Sequence, residues 1–142
     1  MSGIPVLLTI RSKQSYEGQE PDTIELVTVG TLEHSGTAWV ICYEESDLTG
    51  LEGVTTVFRI SRRGAVIRRT GRLHSRMIFR EGVRHESLYE MEMGALMMCV
   101  TAQKIRYDLS ESGGTVDITY AIEIENASVG LVEYHLQVSL KN

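Results

Sequence analysis

The chain has 142 residues, of which 42% are hydrophobic and 23% are charged, and its formal net charge is −5. This composition excludes intrinsic disorder and fibrous repeats, and we expect a single domain over residues 1–142. The negative net charge gives no reason to expect nucleic acid or an anionic membrane as a partner.

The amino end lacks the basic segment and the long apolar run of a signal peptide or a membrane span. Its apolar residues give way to Arg11 and Lys13 within a few positions. Cys42 and Cys99 are too few for the disulfide scaffold of a small secreted protein. We therefore expect a cytoplasmic location with free thiols.

Most of the chain alternates between apolar and polar residues with a period of two, which is typical of β-strands. Strands are predicted over residues 25–32, 37–43, 54–60, 115–125 and 131–141. In residues 115–125, one face carries Val116, Ile118, Tyr120, Ile122 and Ile124, and the other carries Asp117, Thr119, Glu123 and Glu125. We expect the second face to meet solvent.

Nine or ten such runs, spaced by about 8–12 residues, predict an all-β barrel or sandwich. Residues 95–107 have a helix-favouring composition, but glycine-rich turns frame them, and we predict a strand. A further turn is predicted at Gly130. A closed barrel removes exposed strand edges. We therefore expect its functional surfaces to be the lumen and the two mouths.

Several short motifs together carry a resemblance to a known family. They are Tyr43-Glu44-Glu45, the LTGLEG run at 48–53, Thr55-Thr56, Gly71, Ser75-Arg76-Met77, Phe79, Gly82, His85, Tyr89-Glu90, Gly94 and the LSESGG run at 109–114. This set resembles the YwiB-like family of small uncharacterised bacterial proteins. The resemblance implies a single closed antiparallel calycin-like (lipocalin-like) β-barrel of about 8–10 strands, and it implies no activity. The chain departs from the family at Met91-Glu92-Met93-Gly94, where the family has a Thr-Pro-aromatic-Gly turn.

Arginine is concentrated between residues 59 and 84. The nine cations are Arg59, Arg62, Arg63, Arg68, Arg69, Arg72, Arg76, Arg80 and Arg84. With one acid, Glu81, the segment carries +8 and leaves −13 for the rest of the chain. Such a face would suit an anionic ligand or RNA, and it would equally suit ion pairs with acid-rich neighbouring strands. Because adjacent strand residues point in opposite directions, some of these arginines must face inward or lie in turns.

Polar side chains on two adjacent strands predict a ligand site. His85, Ser87 and Tyr89 share one strand face, as do Ser75, Met77 and Phe79 on the preceding strand. A buried Arg76 would need a carboxylate partner, and the candidates are Glu44, Glu45 and Glu90. We predict a site in the lumen or at its mouth, although ordinary core packing explains the same pattern. Its residues are Tyr43, Glu45, Thr56, Ser75, Arg76, Met77, Phe79, His85, Ser87 and Tyr89.

No metal or cofactor is expected. The acidic loop at 44–53 lacks the ligand spacing of a calcium loop and is predicted to cover one mouth of the barrel as a glycine-hinged loop. Four histidines, His34, His74, His85 and His135, are too scattered for a zinc site. The sulfur-rich segment Met91, Met93, Met97, Met98 and Cys99 contains Cu(I)-type ligands, but methionine also fills irregular cores.

The sequence therefore favours a non-enzymatic protein that binds a small amphipathic or anionic ligand in a barrel lumen. The alternative is an interaction module whose outer face, built from residues 59–84, binds an acidic protein or RNA. An enzyme on this scaffold is a third hypothesis, for which the chain offers no nucleophile or triad motif and no predicted catalytic residue.

Overall fold

The computed structural model describes residues 3–16, 18–46 and 51–141, which form one ten-stranded antiparallel sheet. The strands are β1 (Ile4–Ser15), β2 (Asp22–Ser35), β3 (Ala38–Glu44), β4 (Val54–Ser61), β5 (Gly64–Gly71), β6 (Ser75–Phe79), β7 (Arg84–Met91), β8 (Gly94–Ser110), β9 (Gly113–Ile124) and β10 (Ala127–Leu140). Their order in the sheet is β6-β5-β4-β3-β2-β1-β10-β9-β8-β7. The all-β prediction is confirmed.

The two ends of this sheet, β6 and β7, meet and nearly close a barrel. At one end of the contact, His74 and Glu90 exchange two backbone hydrogen bonds of 2.8 Å each. At the other end, Arg80 pairs with Val83 across the turn. Within the described residues β6 and β7 are joined by these isolated bridges, so this seam has fewer backbone hydrogen bonds than the other strand pairs.

Alternation along the strands decides which side chains enter the barrel. On β9, Val116 and Ile118 are buried inside while Asp117 is exposed outside, as the sequence predicts. The strand prediction for residues 95–107 is also confirmed, because β8 pairs with β7 along one edge and β9 along the other. Tertiary pairing here overrides the helical propensity of the segment.

The turn between β9 and β10 differs from the prediction. It consists of Glu125 and Asn126, whose φ angles of 52° and 65° fit a two-residue hairpin turn. Gly130, predicted as a turn, lies inside β10 where the register with β9 shifts. A Cβ there would lie 2.3 Å from the carbonyl oxygen of Ser15, so the glycine serves a close strand contact.

One half of the lumen is filled by large apolar side chains, several of which are fully buried: Leu8, Leu32, Ile41, Phe58, Ile60, Phe79, Ile118 and Leu136. Aromatic rings pack across the lumen between strands that are distant in the sheet. The centroids of Phe58 and Tyr134 are 5.9 Å apart, and those of Phe79 and Tyr120 are 4.8 Å apart. The other half lies toward the end of the barrel at which β1, β3, β5, β7 and β9 terminate, which we call the mouth. No helix in the described ranges is long and apolar enough to cross a membrane.

Candidate functional site

A cavity of about 320 Å³ occupies the half of the lumen next to the mouth. Ile10, Ile67, Met77 and Met98 supply part of its apolar wall. Its polar lining comes from Ser12, Gln14, Tyr43, Glu45, Arg69, Tyr89, Tyr120 and Tyr134. The volume lies at the lower end of the range of about 300–1,000 Å³ that is typical of small-molecule sites.

The charged centre of the cavity is the pair Glu45 and Arg69. Glu45 Oε2 accepts a 2.5 Å hydrogen bond from the Thr56 hydroxyl and lies 3.7 Å from Arg69 Nε. The side chain of Glu45 is 2% exposed and that of Arg69 is 18% exposed. A carboxylate this deeply buried is tolerable because the guanidinium and the hydroxyl compensate its charge.

Arg69 faces Ser75 across the ladder between β5 and β6. Arg69 Nε and Ser75 Oγ are both buried, and among the described residues neither atom has a hydrogen-bond partner. Buried polar atoms usually have at least one hydrogen-bond partner, so two unpartnered atoms side by side are unusual. Because both can donate a hydrogen bond, together they suit an acceptor at this side of the lumen.

Three tyrosines surround the charged pair, of which Tyr43 is buried and Tyr120 and Tyr134 are partly buried. Burial raises the pKa of Tyr43 to about 12, and the nearby Glu45 carboxylate adds to the increase. Burial also raises the pKa of Tyr120 and, well above the ordinary value, that of Tyr134. At neutral pH the three phenols are therefore uncharged, and two of them are already hydrogen-bonded: Tyr43 donates to Glu45, and Tyr134 donates to Tyr43.

Arg69 remains cationic despite its burial. Burial by itself lowers the pKa of this guanidinium, but the acidic groups Tyr43 and Glu45 outweigh that effect and raise the pKa. The cavity therefore combines a fixed positive charge, a carboxylate that partly balances it, and neutral phenol hydroxyl groups.

The raised pKa of Tyr43 predicts that the folded protein loses stability at alkaline pH. The pKa of Tyr43 rises from 10.0 to about 12 on folding, so the folded chain keeps a proton that the unfolded chain releases in this interval. The contribution of Tyr43 to stability is present below about pH 10 and is lost as the pH rises toward about 12. We expect a loss of about 2.7 kcal/mol from Tyr43 alone, at about 1.36 kcal/mol per pH unit.

Urea unfolding over this pH interval, together with the ultraviolet absorbance of tyrosinate, measures the effect. Tyr43→Phe serves as the matched variant and should give a shallower pH dependence than the wild type. Equal slopes for the two proteins would show that Tyr43 titrates normally in the folded state.

Comparison with known proteins adds a family and a fold. The model of a family described as a domain of unknown function, DUF1934, matches residues 8–137. The chain belongs to the DUF1934 family. The crystal structure of the ywiB protein from Bacillus subtilis is similar with a TM-score of 0.88, at 22% sequence identity over 98% of this chain and 93% of that one. No curated protein matches this chain. The YwiB-like resemblance in the sequence is thereby confirmed, and at this identity the solved structure supports the fold alone.

This DUF1934 chain brings together about half of the predicted site residues. Tyr43, Glu45, Met77 and Tyr89 line the cavity, and Thr56 and Ser75 are buried beside it. The others lie elsewhere: Phe79 is fully buried in the filled half, Ser87 is half-buried on β7, Arg76 is exposed on the outer face, and His85 lines an outer groove.

The sequence reasoning placed the lumen arginine wrongly. The partner of Glu45 is Arg69, whereas Arg76 points outward. Alternation contained the correct signal, because Arg69 has the same parity on β5 as the buried Ala65 and Ile67. Tyr120 and Tyr134 were also missed as site residues, although Tyr120 lies on the face predicted to be apolar.

The predicted loop at 44–53 falls partly outside the described residues, which resume at Leu51. Leu51 lines the cavity, and the carbonyl of Glu52 accepts a 2.6 Å hydrogen bond from Arg72 Nε. No group of three or more His, Cys, Asp or Glu side chains suited to a metal occurs in the described part of the chain. In the methionine-rich hairpin, Met93 is exposed whereas Met98 lines the cavity, so these sulfur atoms do not converge.

Proposed function

We propose that this chain is a non-enzymatic binding protein that holds a small amphipathic molecule with an anionic group in its lumen. The observation that carries the proposal is the pair of buried donors, Arg69 Nε and Ser75 Oγ, which lack hydrogen-bond partners in the described residues beside an apolar cavity. Binding of an anion would satisfy both atoms.

The two halves of such a ligand match the two parts of the lining. An apolar body would pack against Ile67, Met77 and Met98, gaining about 25 cal/mol for each Å² removed from water. The anionic group would accept hydrogen bonds from Arg69 and Ser75, with the neutral phenol of Tyr120 as a further donor. A carboxylate or sulfonate has the acceptor atoms for this task, and the adjacent Glu45 limits the total negative charge that the site can take.

The family and the similar structure support the barrel, whereas the lipocalin-like mode of binding is part of the proposal. A fold hosts many functions, so the residues that line the cavity, and not the fold, support the binding of an amphipathic anion. We include a cytoplasmic location in the proposal, and the free thiols of Cys42 and Cys99 are compatible with it.

Binding of the fluorescent sulfonate 1-anilinonaphthalene-8-sulfonate, followed by its displacement, tests the proposal. We expect octanoate to displace the dye at a concentration about 10-fold lower than octanol does, because a hydrogen bond to a charged group contributes about 1.5–3 kcal/mol. Arg69→Lys keeps a positive charge beside Glu45 but loses the guanidinium fork, and Ser75→Ala removes one donor. Both variants should weaken octanoate more than octanol.

Arg68→Lys is the matched control, because Arg68 is the chain neighbour of Arg69 and is exposed on the outer face. This variant should leave both ligands unaffected. The proposal fails if the folded wild type does not bind the dye, or if octanol competes as well as octanoate.

A further inference from the structure

A groove of about 400 Å³ lies on the outer face of the barrel beside the seam between β6 and β7. Arg59, Arg63, Arg76 and Arg80 line it and are exposed, and His85 completes it at the seam. These residues come from β4, the turn after it, β6, the turn after it, and β7. We call this region the arginine groove.

The arginine groove carries positive charge that the described residues leave uncompensated. Of the nine arginines between residues 59 and 84, Arg69 and Arg84 form ion pairs and Arg72 binds a backbone carbonyl. None of the other six has an ion pair in the described parts of the chain. The acid of this segment, Glu81, accepts a 2.8 Å hydrogen bond from the backbone N–H of Ile105 and does not line the groove.

Like charges even lie opposite each other at the edge of this region. Arg68 and Arg76 are direct partners across the β5–β6 ladder, on the outer face. Like charges directly opposite each other destabilise a sheet. An external anion would relieve this repulsion.

A second observation points to a ligand at the same place. His85 Nε2 is buried, and it has no hydrogen-bond partner among the described residues. His85 lines this groove together with the four arginines, and its Nε2 is a further donor in the tautomer that carries the proton there. Five side chains with donor groups therefore surround this groove.

A second groove on the outer surface of the barrel differs from the arginine groove in its charge. It is lined by four cations, Arg11, Lys13, Lys104 and Arg106, together with Asp117 and Glu133. There Lys13 lies 3.9 Å from Glu133, and Asp117 lies 2.6 Å from His135. The cations of that groove have carboxylates beside them, whereas no acidic side chain lines the arginine groove in the described residues.

We propose that the arginine groove binds an oligophosphate, a group of two or three linked phosphates such as that of a nucleoside diphosphate or triphosphate. The planar guanidinium matches phosphate oxygens in pairs, which gives arginine both strength and geometry in phosphate recognition. Two or three linked phosphates carry about three to four negative charges, which four arginines balance. The groove has the volume of a small-molecule site, and in the described residues His85 and the buried Phe79 are the aromatic side chains in its lining, which is a small surface for stacking nucleic-acid bases.

Calorimetric titration of the intact chain with sodium tripolyphosphate tests this proposal. We expect saturable binding that weakens as the ionic strength rises, and a loss of about 10-fold or more in affinity for Arg76→Ala/Arg80→Ala. Lys104→Ala/Arg106→Ala is the matched control, because it removes the same charge from the other outer groove, and it should change the affinity by less than about 2-fold. His85→Gln should also weaken binding.

Titrations with a short RNA duplex and with polyglutamate distinguish the class of partner. The proposal is overturned if tripolyphosphate does not bind, if the control variant loses as much affinity as the arginine variant, or if a short RNA duplex or polyglutamate binds through these arginines while tripolyphosphate does not. Dye binding in the lumen, measured on Arg76→Ala/Arg80→Ala, should remain at the wild-type level, so a failure of this proposal is distinguishable from a failure of lumen binding.

Discussion

Replacing Arg69 with methionine should lower the free energy of unfolding by about 3–5 kcal/mol. The substitution removes the guanidinium that lies 3.7 Å from the Glu45 carboxylate, whose side chain is 2% exposed. The carboxylate then keeps its hydrogen bond from Thr56 but loses the adjacent positive charge. Removing one partner of a buried ion pair costs more than the pair itself contributes, because the other charge stays buried.

Urea unfolding at neutral pH measures this effect through a lower midpoint at an unchanged slope. Arg68→Met is the matched control on the outer face and should change the free energy of unfolding by less than about 0.5 kcal/mol. In Arg69→Met/Glu45→Gln the buried charge is gone, so a large part of the lost stability should return. An Arg69→Met variant as stable as Arg68→Met would show that water solvates the Glu45–Arg69 pair, and the lumen would then not be a low-dielectric site.

Alternation predicted the strands and their faces because it depends on local sequence alone. The buried face of β9, with Val116 and Ile118, and the strand character of residues 95–107 both follow from the period of two and the flanking glycines. Gly130 was misread because glycine marks strand bulges as well as turns, and sequence alone does not distinguish them.

The composition of the cavity was harder to predict because its residues meet across the lumen. Tyr43 on β3 and Tyr134 on β10 are separated by two strands in the sheet, yet their side chains interact. Phe58 on β4 and Tyr134 on β10 are separated by three strands, yet their rings stack. Such contacts depend on the curvature of the barrel, and local periodicity contains no information on curvature.

The arginines allow a comparison of two predictions, one from strand alternation and one from the sequence motif. Parity required that Arg68 and Arg69 point in opposite directions, and the structure places Arg69 in the lumen and Arg68 outside. Motif reasoning instead favoured Arg76, because it lies beside Ser75 in the resembling segment. Alternation with the buried neighbours Ala65 and Ile67 was the better guide, since the face of a strand is set by packing.

Phe79→Ala should destabilise the barrel by about 3–5 kcal/mol. Phe79 is fully buried, and its ring lies 4.8 Å from that of Tyr120 across the lumen, at an interplanar angle of 59°. The substitution removes this contact and leaves a cavity next to the existing one. It does so at the carboxyl end of β6, where the described residues join β6 to β7 by isolated bridges, so side-chain packing contributes more to closure here than at the other strand pairs.

Ile78→Ala is the matched control, because Ile78 precedes Phe79 on the same strand, is half-buried and points outward. It should cost less than about 1.5 kcal/mol, and the difference between the two variants isolates the contribution of the filled lumen. Hydrogen exchange should also show that amide protection falls first at β6 and β7 in Phe79→Ala, since local opening begins where backbone pairing is weakest. If both variants lose the same stability and β6 stays protected, backbone pairing rather than the buried ring closes the barrel, and the seam is stronger than its isolated bridges indicate.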